Sequence, residues 1–243
     1  RFEKYEQMKK HYEKNLKELR LNVSTSIPHE LRTPLNSILG FTQILRSSHK
    51  DLSSSDIEMM YDNIMDAGKR LLRLIVNYSY YTNLLNINAA NSNKEESVEH
   101  PAGMIRDQAM QIADKYSRIN DLEFYLDDIP VRISENMLLK TAEELTDNAC
   151  KFSYSDTPIR INGHRTDNSY RLSFSNLGRG MKPDQVDNIG AFMQFDRRKF
   201  EQQGSGLGLA IVKKIAEISG GDFDIDSTPG KGTSISIELP IAE

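Results

Sequence analysis

The chain has 243 residues, with 31 Lys+Arg against 35 Asp+Glu, a formal net charge of -4 and 38% apolar residues, enough to bury a core and to divide into more than one domain. The most apolar run, Leu71 to Val76, is interrupted by Arg73, and Cys150 is the single cysteine, so a membrane span, an internal disulfide and a cysteine-built zinc site are all excluded. Slight acidity argues against nucleic acid as a partner, and a start at Arg1 with neither an initiator Met nor a leader is read as a segment of a longer protein.

Charge is concentrated at the start: Arg1, Lys4, Lys9, Lys10, Lys14, Lys17 and Arg20 stand against Glu3, Glu6, Glu13 and Glu18, a local +3 that leaves -7 for the remainder. These charges interleave with a heptad pattern, Phe2, Lys9, Leu16 and Val23 on one seam position and Tyr5, Tyr12 and Leu19 on the other, which predicts a parallel two-helix coiled coil over 1–22. A single amphipathic helix fits the same three heptads. The stripe continues through Ile27, Leu31, Leu35, Ile38, Thr42 and Leu45, predicting one long helix from about Phe2 to Ser47 that bends at Pro28 and Pro34 rather than ending there.

A break over Ser48 to Ser55 offers serine N-caps ahead of Asp56. A second helix follows, with Ile57, Met60, Ile64, Ala67, Leu71, Leu74, Ile75, Tyr78, Tyr81 and Leu85 on its stripe. Two antiparallel helices with one apolar stripe each bury themselves most economically by dimerising into a four-helix bundle. After a polar linker, Asn88 to Glu96, the pattern becomes mixed: a helix from Pro101 to about Ser117, strands at Leu122–Leu126 and Val131–Ser134, and a strong helix at Glu135–Ser153. Strands at Ile159–Arg165 and Tyr170–Asn176, a glycine-punctuated loop from Gly178 to Gly206, a helix to about Ser219, and strands at Asp222–Ser227 and Thr233–Leu239 complete an α+β layer sandwich.

Three groups of residues carry chemistry. His29 lies on the side of its helix away from the stripe, beside Glu30, one turn before Thr33 and between the two prolines; two unfavourable prolines next to a solvent-facing histidine are better explained by function than by folding. Glu144, Asn148 and Lys151 fall at i, i+4 and i+7 on one helix face, a spacing that a solvated helix face would also show. Gly204-Ser205-Gly206-Leu207-Gly208 opens a helix, so backbone N–H groups and a helix N-terminus can face phosphate, although three glycines also suit a tight turn. Neither a Walker A nor a Rossmann fingerprint is present.

The string Ser26-Ile27-Pro28-His29-Glu30-Leu31-Arg32-Thr33-Pro34-Leu35 closely resembles the phosphoacceptor box of two-component sensor histidine kinases. Glu144 to Ser153 resembles the same family's N box, Gly178-Arg179-Gly180 and Gly204 to Gly208 its glycine boxes, Phe192 and Phe195 its F box, and Pro229 to Thr233 its last strand turn. The resemblance covers Val23 to Pro240 and implies a multidomain α and α+β chain: a coiled-coil signalling helix (1–22), a dimerisation and phosphotransfer hairpin (23–88), a linker (89–98) and a catalytic α/β sandwich of the Bergerat (GHKL) ATPase type (99–243). It implies autophosphorylation from ATP with Mg²⁺ and transfer to an aspartate on a response regulator receiver domain, in a cytoplasmic homodimer fed by an upstream sensor domain. A phosphatase activity toward the same regulator belongs to the same family.

Carried over by position, His29 is the nucleophile, Glu30 polarises its imidazole, and Thr33 with Glu30 serves the reverse reaction. Asn148 is the Mg²⁺ ligand, Glu144 orders the metal's waters, Lys151 contacts phosphate and Arg197 neutralises the γ-phosphate. Asn176, Gly178, Gly180, Gly204, Gly206, Leu207, Gly208 and Thr233 complete the nucleotide site. Asn176 departs from the family, which has an aspartate there to accept a hydrogen bond from the adenine amino group; an asparagine oxygen still accepts it, without the charge that roughly doubles such a bond. The same residues leave room for a nucleotide-binding pseudokinase scaffold, and for an ATPase clamp of the gyrase B kind that forms no phosphohistidine.

Overall fold

The computed structural model describes residues 27–48, 52–87, 96–187 and 207–242, with backbone alone at 27–29 and 187. The heptad seam of residues 2–23, the linker segment 88–95 and the stretch 188–206 lie outside the described residues. Within them the chain forms two compact units, 27–82 and 83–242.

The first unit is a helical hairpin of α1 (Ile27–Ser48) and α2 (Ser54–Asn86), the last turn of α2 counting with the second unit. Helix α1 runs through Pro34 unbroken, as its continuous stripe predicts. The stripe has a different phase, however: Leu31, Pro34, Ile38, Phe41 and Leu45 are half-buried, while Leu35 and Thr42 are exposed. Steps of three and four residues run regularly through Pro34 and Phe41, so the proline occupies an inward position and Leu35 falls on the flank. The Ser53 hydroxyl accepts a 3.1 Å bond from the Asp56 N–H, and the Asp56 carboxylate accepts from the Ser53 N–H at 3.3 Å, a reciprocal capping box that starts α2. Met60, Ala67, Leu74 and Tyr81 are buried at seven-residue intervals. Ile75, expected on that stripe, is 49% exposed, because it lies about 100° around the helix from Leu74.

The second unit carries α3 (Pro101–Asp114), a 3₁₀ turn (Ile119–Asp121), β1 (Leu122–Leu126), α4 (Glu135–Phe152), β2 (Ile159–Arg165), β3 (Ser169–Asn176), α5 (Pro183–Asp187), α6 (Gly208–Ile218), β4 (Phe223–Thr228) and β5 (Gly232–Pro240). The sheet order is β1-β2-β3-β5-β4. Strands β1 and β2 are parallel, with α4 as their crossover, and every other pair is antiparallel. Strand alternation sends Ile159 and Ile161 of β2, Tyr170, Leu172 and Phe174 of β3, and Ile235, Ile237 and Leu239 of β5 into the core. Helices α3, α4 and α6 cover that face, α4 lying between the other two and packing on β3. The opposite face is polar, with Arg160 bridging to Glu123 at 2.8 Å.

Two expectations need correction. Val131–Ser134 is not a strand: Val131 alone bridges to Val98 on one side and Ile241 on the other, and Ser134 already accepts a bond from the Met137 N–H as the N-cap of α4, leaving no residues for a ladder. Helix α3 stops at Asp114 rather than Ser117. Ser117 adopts φ 56°, its N–H bonds the Asp114 carbonyl, and the Arg118 N–H bonds the Ala113 carbonyl, a Schellman ending with serine in the position glycine usually takes. The expected loop after Gly178 also contains α5, begun by Pro183 in its first turn and by the Gln185 side chain accepting from the Lys182 N–H at 2.8 Å.

Candidate functional site

Helix α4 is the spine of the site. Its apolar residues Leu138, Ala142, Leu145 and Ala149 are buried, which fixes its rotation and turns Glu144, Asn148 and Lys151 to one side together. This face is far from a solvated one: Glu144 is 2% exposed. Two residues not singled out in the sequence accompany them. Lys140 Nζ lies 2.8 Å from Glu144 Oε1 and 3.0 Å from Glu143 Oε1, and Asp147 Oδ2 lies 2.6 Å from Lys151 Nζ. Asn148 sits between these two ion pairs, and its buried amide nitrogen has no hydrogen-bond partner among the described residues.

The start of α6 reaches the same face. A Cβ at Gly208 would collide with Glu144 Oε2 and come within 3.6 Å of the Asn148 amide nitrogen, so a side chain there would displace the Glu144 carboxylate. The N-cap residue, Leu207, makes no side-chain cap bond there. Leu207 is fully buried, so its side chain anchors the helix and only its backbone can face a ligand.

The C-terminal end of α4 meets the ends of β3 and β5. A Cβ at Gly178 would strike the Phe152 carbonyl oxygen, and Gly180, at φ 62°, lies against the Thr228 carbonyl; both glycines allow backbone to approach backbone. The Arg179 guanidinium stacks on the Phe152 ring 4.4 Å from its centroid. Asn176 pairs with Thr233 across β3 and β5, and strand parity turns both toward the helix layer. The Thr233 hydroxyl is 2.8 Å from that of Ser227, which also accepts the Met181 N–H at 2.8 Å.

Arg118 and Tyr116, also unsuspected from sequence, hold the α4 end from the α3 side. Arg118 donates to the Asp121 carboxylate at 2.6 Å, to the carbonyls of Cys150, Tyr154 and Thr157 at 3.3, 3.0 and 3.0 Å, and to the Ser153 hydroxyl. The Tyr116 hydroxyl donates to Asp147 Oδ1 at 2.6 Å. Burial pushes the Cys150 thiol up to about 11, so it stays protonated and takes no part in chemistry at neutral pH.

His29, Glu30 and Thr33 lie on the first two turns of α1 in the other unit, Glu30 half-buried and Thr33 exposed. The His29 side chain, Arg197, Gly204 and Gly206 are outside the described residues. Among the described residues no group of three or more His, Cys, Asp or Glu side chains could hold a metal ion. The donor set instead suits a hard cation that takes one amide oxygen from protein and the rest of its shell from phosphates and water.

A mixed sheet covered on one face by three helices, with an asparagine-bearing helix meeting a glycine-opened one, defines an ATPase class: residues 133–243 match the histidine kinase-, DNA gyrase B- and HSP90-like ATPase family. Residues 19–84 match the His Kinase A (phospho-acceptor) domain. With the two in tandem, the chain belongs to the two-component sensor histidine kinases. It is 27% identical over 226 residues to the histidine protein kinase DivJ of Caulobacter vibrioides, a match covering 89% of this chain and 36% of DivJ. The chain spans less than half the length of the curated relatives it matches. The fold is shared with histidine kinase AdeS of Acinetobacter baumannii (TM-score 0.64, 16% identity, 88% of this chain and 98% of that one). It is also shared with full-length ShkA, solved in complex with AMPPNP (TM-score 0.60, 24% identity, 89% and 45%).

Proposed function

We propose that this chain is an autokinase core: His29 takes the γ-phosphoryl group of ATP bound over α4 and passes it to an aspartate on a response regulator receiver domain. The observation that carries the reading is the convergence of Glu144, Asn148, Lys151 and the glycine-opened start of α6 on one face, in a chain whose other unit presents the His29-Glu30 helix turn. The ATPase family match and the AMPPNP complex of ShkA support ATP as the substrate.

An imidazole nitrogen of His29 attacks the γ-phosphorus in line; an N–P bond forms, the bond to the bridging oxygen breaks, and ADP leaves. Imidazole titrates near ~6.5, so it is largely neutral and nucleophilic at pH 7. Glu30 fixes the tautomer and stabilises the positive charge that grows on the ring. Asn148 would hold Mg²⁺ and Glu144 its waters, and the metal would offset phosphate charge. Lys151 and Arg197 bind phosphate oxygens, backbone N–H groups of the Gly204–Gly208 segment cradle them, and Asn176 with Thr233 lies toward the adenine end. Residues 1–22 form the signalling helix, 23–88 the dimerising phosphotransfer hairpin, 89–98 the linker and 99–243 the catalytic unit of a cytoplasmic homodimer. Glu30 and Thr33 would also serve dephosphorylation of the regulator. Among the described residues no helix is long and apolar enough to cross a membrane.

Incubation with γ-labelled ATP and Mg²⁺ tests this. The expected label is acid-labile and alkali-stable, and it disappears in His29→Gln and Asn148→Asp. Acid-stable label, or labelling that survives His29→Gln, would overturn the assignment. Asn176, standing where the family has aspartate, favours one second reading, a pseudokinase scaffold. Absence of Mg²⁺-dependent ATP binding in calorimetry would select it.

A further inference from the structure

The lysine assigned to phosphate is already engaged. Lys151 Nζ lies 2.6 Å from Asp147 Oδ2, with the two side chains 10% and 7% exposed. The other carboxylate oxygen of Asp147 accepts the Tyr116 hydroxyl at 2.6 Å. An ammonium paired with a carboxylate at this distance, away from water, presents a dipole rather than a full positive charge to an approaching polyphosphate. One of its three N–H donors is committed to Asp147.

Tyr116 reaches Asp147 from the end of α3, held there by the Schellman turn at Ser117 and by the clamp that Arg118 places on the α4 end. Its hydroxyl bond delocalises the carboxylate's charge and so weakens the hold of Asp147 on Lys151. The two partners therefore act on the lysine in opposite directions. In the Lys140–Glu144 pair one turn earlier it is the lysine that is shared, between the Glu143 and Glu144 carboxylates.

We propose that Asp147 is a positioning residue that sets nucleotide affinity by competing with the polyphosphate for Lys151, with Tyr116 moderating that competition. The inference rests on the assignment of Lys151 to phosphate in the preceding reading. Asparagine at 147 keeps the shape and the acceptor for Tyr116 but gives up the charge that detains the lysine. Phenylalanine at 116 removes that donor from the carboxylate and so strengthens its hold on Lys151.

Titration calorimetry with MgATP on the 243-residue chain tests the idea as a double-mutant cycle. Asp147→Asn should lower the Kd by about two- to tenfold, the net worth of one hydrogen bond, and Tyr116→Phe should raise it. In a Lys151→Met background neither change should move the Kd. A generally loosened structure would weaken binding in both variants and in both backgrounds, which would overturn the proposal. So would an Asp147→Asn chain that binds MgATP no more tightly than wild type. If the wild-type chain binds no MgATP, the functional reading fails together with this inference; if it binds and Asp147→Asn changes nothing, this inference alone fails.

Discussion

Lys140 is 9% exposed in the middle of α4, and its ammonium pairs with the Glu144 carboxylate, which is 2% exposed. Replacing it by methionine keeps the packing of the stem and takes away the ammonium that Glu144 is buried against. Removing one partner of such a pair costs about 3–5 kcal/mol, so urea unfolding of Lys140→Met should show a loss of that order, and adding Glu144→Gln should recover most of it. An unchanged midpoint would mean that water reaches Glu144 after all. The case also marks how far single residues are legible before a structure. Glu144, Asn148 and Lys151 share a face because helix phase dictates it, and Lys140–Glu144 and Asp147–Lys151 could have been noted as i,i+4 pairs. Their burial could not, because it depends on α6 arriving at Gly208 beside Glu144 and on Tyr116 reaching Asp147 from beyond α3. Arg118 has one nearby partner, Asp121, but the contacts by which Tyr116 and Arg118 hold α4 and the segment after it reach 31 to 39 residues along the chain.

At the scale of elements, the strands and α4 stood out because their patterns are long and regular, whereas ends set by a few backbone bonds did not. Ser117 is the example. A serine at φ 56° gives no hint of a helix end, where a glycine would have. An L-residue there bears about 1–2 kcal/mol of left-handed strain, partly offset by the extra freedom glycine has when unfolded, so Ser117→Gly should stabilise the chain by about 0.5–1 kcal/mol in equilibrium unfolding. The other end of α3 is capped from a distance: His100, its N-cap, makes no side-chain cap bond, and Asp128 accepts the Ala102 N–H at 3.1 Å and contacts His100 Nδ1 at 2.8 Å. The His100 bond, joined by the Ala102 N–H, holds the Asp128 carboxyl below its ordinary 3.8. A depressed carboxyl stabilises the fold above the unfolded-state value and loses that contribution as pH falls through the folded one. The stability gap between wild type and Asp128→Asn should therefore close as pH falls below 3.8; a gap that persists at lower pH would show that charge is not what the cap supplies.

For the whole molecule, the sheet order and the placement of α4 as a crossover follow from which strands could pair, but the hairpin is incomplete in a way that only exposure reveals. Its inward stripe uses Pro34, Ile38, Phe41 and Leu45 from α1 and Met60, Ala67 and Leu74 from α2. A second apolar set is left facing out: Leu39 at 58% exposure, Met65 at 60% and Leu72 at 63%, with Leu35 and Val76 beside them. Met65, Leu72 and Val76 are seven and four residues apart, one face of α2, and burying each such side chain is worth about 1.5–3 kcal/mol. Two hairpins placing these faces together would make the four-helix bundle of the proposed homodimer, and a carboxylate at its centre would face another across the two-fold axis. Met65→Glu with Leu72→Glu should therefore halve the mass found by sedimentation equilibrium while leaving MgATP binding per chain unaltered, because the nucleotide face is built within residues 83–242. Histidine labelling should then fall at dilutions where the wild-type chain remains dimeric. A variant that keeps the dimer mass would show that the exposed stripe serves some other contact.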